Sequence, residues 1–153
     1  MLKIALLSVC IVAVAAEFTN LKHKTCEHKG TILSVKAENY EAVEDGIRTV
    51  AVFTVGQKPK IRIEFRPSAD SATMKNQIKA KIGKSLVDFP QPGKNACNYG
   101  VACPVAAQST QVFEQEIEIQ ENQKADTNIP VRWEISNEAG ETEVCIIFLA
   151  RVQ

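Results

Sequence analysis

Lys60-Ile61-Arg62-Ile63-Glu64-Phe65 alternates polar and apolar residues without a fault, which puts Ile61, Ile63 and Phe65 on one face of an extended chain. A helix would spread these three around its circumference, whereas a strand with one wet and one dry face keeps them together. The period recurs downstream. Residues 77–82 set Ile78, Ala80 and Ile82 against Gln77, Lys79 and Lys81. Residues 113–119 send Phe113, Ile117 and Ile119 inward and Glu114, Glu116 and Glu118 outward. Val131, Trp133 and Ile135 alternate with Arg132, Glu134 and Ser136. Two earlier strands are expected near 31–37 and 48–55. In a last one, 144–152, a water-facing Arg151 sends Ile146, Phe148, Ala150 and Val152 inward.

Turn residues punctuate these runs at Gly56-Gln57, Pro67-Ser68-Ala69-Asp70 and Asn137-Glu138-Ala139-Gly140. Phe89-Pro90-Gln91-Pro92-Gly93 cannot be a central strand, because its two prolines remove ladder donors. The acidic stretch 40–46 reads as a surface loop. About seven short strands, each with one inward face, predict an all-β antiparallel sandwich in a single domain. No helix longer than a turn or two, internal repeat or domain linker is evident.

Lys3 followed by an apolar run ending in Val14-Ala15-Ala16 predicts a secretory signal peptide over residues 1–16. The run is shorter than the roughly 20 residues a membrane-spanning helix needs. The mature domain is then 17–153, exported and soluble, and Cys10 leaves with the leader. Without Lys3 the balance is 17 basic against 18 acidic residues, a formal charge of −1. Such a surface argues against nucleic acid, whose affinity for proteins rests mainly on basic patches. It likewise gives no strong steering toward anionic membranes.

Cys26, Cys97, Cys103 and Cys145 allow three pairings, and the sequence does not choose among them. The 97–103 loop, which contains Gly100, is easy to close locally; that would leave Cys26 for Cys145. Export favours disulfides over metal-binding thiols, and the spacing lacks the paired C-x-x-C knuckles of structural zinc sites. No metal and no cofactor are expected.

Gly93-Lys94-Asn95-Ala96-Cys97, then Cys103-Pro104-Val105, a Trp-bearing strand and a cysteine in the final strand resemble the ML lipid-recognition family. That is the family of the Niemann-Pick type C2 sterol-transfer proteins and the group-two mite allergens, and the resemblance spans the mature chain. It implies an immunoglobulin-like sandwich with an apolar cavity between the sheets, holding one sterol, fatty acid or similar lipid without chemical change. It also implies Cys26–Cys145 and Cys97–Cys103 as the outer and loop disulfides, Phe89 at the pocket mouth, and Trp133 and Ile146 on its walls. Joined to the alternation, it gives a candidate ligand set of Ile61, Ile63, Phe65, Ile78, Phe89, Ile117, Ile119, Val131, Trp133, Ile146 and Phe148. The chain departs from the family in lacking a third cystine near residues 40–55, an aromatic residue within 120–129, and any Asn-x-Ser/Thr glycan signal. Secretion is therefore expected ahead of delivery to a lysosomal lumen.

The leading expectation is a secreted, monomeric lipid-binding and transfer protein that is not an enzyme. Its partner would be the lipid, with a lipid-transfer protein or receptor and transient membrane contact as further encounters. The second reading is an extracellular innate-immune recognition protein for bacterial lipids; the third is a disulfide-stapled protease inhibitor. His23 and His28 are the only histidines and no nucleophile motif accompanies them. Inward residues such as Ile61 or Trp133 would face the interior of any sandwich, and period two does not distinguish a filled core from a hollow one.

Overall fold

Each alternating run becomes a strand. The computed structural model describes residues 17–153, so the expected leader lies outside the described residues. Eleven strands form: β1 (Thr19–Asn20), β2 (Lys24–Thr25), β3 (Thr31–Glu38), β4 (Glu41–Asp45), β5 (Arg48–Phe53), β6 (Lys60–Arg66), β7 (Met74–Ile82), β8 (Ser85–Asp88), β9 (Gln111–Glu116), β10 (Ile129–Asn137) and β11 (Thr142–Val152). The four beyond the expected seven share a cause: β1 and β2 are two residues long, and β4 and β8 bury neither face. None presents an apolar alternation. The acidic stretch read as a loop is thus an edge hairpin, in which β4 pairs with β5 through a turn whose Gly46 has φ 64°, a value that costs glycine little.

One sheet runs β1-β3-β6-β9 and the other β4-β5-β11-β10-β7-β8. Pairing is antiparallel except between β5 and β11, which run parallel from Leu149–Val50 to Val152–Phe53. The same edge of β11 is shared: β2 takes Ile146 and Ile147, and β5 takes the strand from Leu149 onward. The inward faces of the two sheets form one core that includes Ile63, Phe65, Met74, Phe113, Ile135, Val144 and Ile146.

Both inferred cystines are present. Cys26–Cys145 ties the segment after β2 to β11 across 119 residues of sequence, and Cys97–Cys103 closes a separation of 6. The hairpin of β4 and β5, where a third cystine was missing, is held otherwise. Asp45 accepts a hydrogen bond from Asn128 Nδ2 at 2.8 Å and pairs with Arg151 at 3.3 Å.

Loop-closure entropy grows with loop length, so the two bridges differ in expected effect. On that model, replacing Cys26 and Cys145 together by alanine costs about 5 kcal/mol and replacing Cys97 and Cys103 together about 2 kcal/mol. Urea unfolding of the two double variants measures the difference; equal losses would contradict it.

Candidate functional site

The sandwich is filled at one end and hollow at the other. At the filled end Ile63, Phe65, Phe113, Ile135 and Ile146 are each fully buried. At the other end the sheets enclose a cavity of about 740 Å³ that opens to solvent. Ala37, Ile61, Ile117 and Ile119 come from the first sheet and the segment following it; Phe53, Ile78, Ala80, Val131, Trp133, Phe148 and Ala150 come from the second. Small side chains account for the space. Ala37, Ala80 and Ala150 stand at inward positions where the filled end carries phenylalanine, isoleucine or methionine.

Of the eleven residues expected to line a cavity, eight do: Ile61, Ile78, Phe89, Ile117, Ile119, Val131, Trp133 and Phe148. Ile63, Phe65 and Ile146 do not. They lie on the correct inward faces, but further along their strands, where opposing side chains leave no gap. Ile63 sits level with Val35 and Phe113, and Ile146 level with Trp133. Phe53, Ala37, Ala80 and Ala150 are lining residues absent from that expected set; an alanine at an inward position of an alternating strand is the sequence signal that marks three of them.

Trp133 forms the floor between the two ends. Its ring lies 6.0 Å from that of Phe113 at an edge-to-face angle of 70°, a favourable geometry for aromatic pairs. Its indole N–H donates to Asn76 Oδ1, Asn76 Nδ2 donates to Gln115 Oε1 at 3.0 Å, and Gln115 Nε2 donates to the Gly93 carbonyl at 2.9 Å. Asn76 and Gln115 are almost fully buried, and this chain satisfies amide groups that would be costly to leave unpaired. It also fixes the orientation of the indole that forms this floor.

The same chain anchors the proline-rich lip. After β8, Phe89 N–H donates to the Ile78 carbonyl at 2.9 Å, continuing the pairing with β7. Pro90 and Pro92 can donate nothing. The Gln91 side chain supplies what they lack: its Oε1 accepts from Ile78 N–H at 3.0 Å, and its Nε2 donates to the carbonyls of Asn76 at 3.1 Å and Gly93 at 2.8 Å. A side-chain amide thus stands in for a stretch of strand backbone. Gly93 leaves room for a different neighbour, the Tyr99 ring, whose hydroxyl would lie 2.6 Å from a Cβ there. Phe89 is thereby held half-buried, and it lines the cavity.

The opposite lip is residues 120–130, a segment with a short 3-10 turn over Glu121–Gln123. Ala125 N–H donates to the Val152 carbonyl at 3.2 Å, and Asn128 bridges Arg151 and Asp45. Gln123, Asn128, Ile129 and Pro130 of this segment line the cavity. The mouth is further edged by the hairpin of β7 and β8, whose Ile82 and Val87 are about half exposed (51% and 49%). No helix among the described residues is long and apolar enough to cross a membrane.

Residues 21–152 match the family model described as the ML domain. The chain belongs to the ML-domain family. It is 45% identical over 141 residues to putative protein heh-1 of Caenorhabditis elegans, covering 91% of each chain. It is 24% identical over 97 residues to NPC intracellular cholesterol transporter 2 of Danio rerio, covering 63% of this chain and 64% of that one. Among solved structures, a Niemann-Pick type C2 protein from the Japanese carpenter ant superposes with a TM-score of 0.75 at 18% identity, over 87% of this chain and all of that one. At that identity the likeness concerns the fold: the ML-domain sandwich is shared with the ant protein.

Proposed function

We propose that this ML-domain chain is a secreted carrier that holds one apolar lipid, of the sterol or fatty-acid class, between its sheets and releases it unchanged. The observation that carries this reading is the solvent-open, apolar-walled cavity of about 740 Å³ in the hollow half. Its volume lies within the roughly 300–1,000 Å³ typical of small-molecule pockets. The space is therefore suited to occupancy, by a ligand or by water entering at the mouth.

Burying apolar surface gains about 25 cal/mol per Å², so a lipid needs few polar contacts to be retained. Ile61, Ile78, Ile117, Ile119, Val131, Trp133 and Phe148 would form the walls, and Phe89 would act as the lip past which the ligand enters. The name of the Danio rerio relative, a cholesterol transporter, supports the ligand class. The two cystines fit an oxidising compartment outside the cytosol. Neither histidine lines the cavity: His23 and His28 each bond a backbone carbonyl two residues away.

Native mass spectrometry of the protein secreted from eukaryotic cells, followed by solvent extraction, tests the reading. One retained lipid per chain is the expected result. A bare mass that stays unchanged after soaking with sterols and fatty acids would overturn it.

A further inference from the structure

Residues 120–128 wall one side of the cavity but belong to neither sheet. Asn122, Gln123, Ala125, Thr127 and Asn128 all line the hollow, yet each residue of the segment is exposed or part-exposed and none joins the core. The short turn within it is closed on itself: Gln123 N–H donates to the Gln120 carbonyl at 3.0 Å, and Lys124 pairs with Glu121 at 2.8 Å. Among the described residues only two hydrogen-bonded ties fasten the segment to the body. Ala125 N–H donates to the Val152 carbonyl at 3.2 Å. Asn128 makes the other tie. Its Oδ1 accepts from Arg151 Nε at 3.0 Å and Nη2 at 2.7 Å, and its Nδ2 donates to Asp45 Oδ2 at 2.8 Å. Arg151 Nη2 closes the triangle on the same Asp45 oxygen at 3.3 Å. Neither Asp45 nor Arg151 lines the cavity.

A segment with no side chain in the core and few backbone bonds is where a fold opens at least cost. Here the part that opens is a cavity wall, and its fastening is ionic and partly solvated, with the Arg151 and Asp45 side chains 32% and 53% exposed. Such pairs are weak and are screened by salt. We infer that residues 120–128 are a strap over the cavity and that the Asp45–Asn128–Arg151 triangle is its latch, setting how fast a guest enters and leaves. This rests on the lipid-carrier reading above and adds to it a device that controls rate. The charged partners of the latch stand outside the cavity, so undoing it speeds entry and exit together and leaves the affinity unchanged. A residue that shaped the cavity would instead alter affinity, chiefly through release. The hairpin of β4 and β5 thereby gains a part in exchange, since Asp45 ends β4 beside the Gly46 turn.

Amide hydrogen exchange on the full domain, without ligand, reads the strap directly, because the Ala125 N–H is released whenever the segment lifts from Val152. In Asp45→Ala its exchange should quicken about fivefold, the scale set by one partly exposed ion pair, while amides of β6 and β10 keep the parent's protection. Raising the salt from about 0.01 M to about 0.5 M should quicken the parent in the same way, and Asp45→Ala should no longer respond. Asp45→Asn keeps an oxygen for Asn128 and Arg151 without the charge; it should lose the salt response with a smaller acceleration. Release of Nile red, an uncharged dye that fluoresces in apolar surroundings, should follow the Ala125 amide through this series at an unchanged dissociation constant. An Ala125 amide indifferent to these changes, or a dye released at the parent's rate once the strap is loosened, would overturn the latch while leaving the carrier reading intact. A dissociation constant that rises in step with the release rate would do the same, since Asp45 would then be shaping the cavity rather than gating it. A dye that never enters the parent would also overturn the latch's hold on exchange, and the native mass of the secreted protein decides separately whether the carrier reading falls with it.

Discussion

Ile63→Asp is expected to abolish the native fold rather than merely empty the cavity. Ile63 is fully buried at the filled end, level with Val35 on one neighbouring strand and Phe113 on the other. A carboxylate there would lose its hydration and find no cation or donor among the apolar side chains around it. Uncompensated buried charges commonly cost upwards of about 4 kcal/mol, a large part of the roughly 5–15 kcal/mol that stabilises a domain. Circular dichroism and urea unfolding should show a chain unfolded or close to it at ambient temperature. A variant with the parent's midpoint would mean that the inward face of β6 has been assigned wrongly.

The contrasting expectation concerns the hollow end. Ala80 and Ala150 lie on strands flanking β10, level with Val131 and Ile129, and both line the cavity. Ala80→Trp combined with Ala150→Trp would fill the hollow half instead of overpacking the filled one. Lipid uptake should fall by at least about tenfold, a loss of 1.4 kcal/mol or more, with the thermal midpoint unchanged or raised, as cavity-filling substitutions often stabilise. Transfer of a fluorescent fatty acid or sterol from vesicles measures the first, and thermal unfolding the second. Unaltered uptake would show that the lipid does not enter between the sheets.

These two substitutions mark how far the sequence can be read. Period two resolves which face of a strand is dry in β6, β7, β9 and β10; it lapses where both faces are covered, over Val50–Phe53 of β5 and Glu143–Ile146 of β11. It carries no information about depth along the strand axis. Ile61 and Ile63 share a face and stand two residues apart, yet the first lines the cavity and the second is packed. That distinction arises from what the opposite sheet offers at each level, which only the assembled fold determines. β4 and β8 escaped because strands exposed on both faces have no alternation to betray them. Gln91 escaped for another reason. A glutamine in a loop is ordinarily a solvated residue, and its value here comes from bonds to backbone groups, including two on β7 more than ten residues away. The cysteines were the opposite case, since the family resemblance supplied a pairing that spacing alone left open.

The division of the sandwich into a filled and a hollow end has a bearing on how such chains can diverge. Phe65, Phe113 and Ile146 hold the two layers together, while Ala80, Val131 and Ala150 shape only the space beyond the Trp133 floor. A change of side-chain size among the latter alters which guest fits without weakening the attachment of one layer to the other. Ligand preference can therefore drift by single substitutions at the hollow end, each tolerated on its own, while the architecture is inherited through the other.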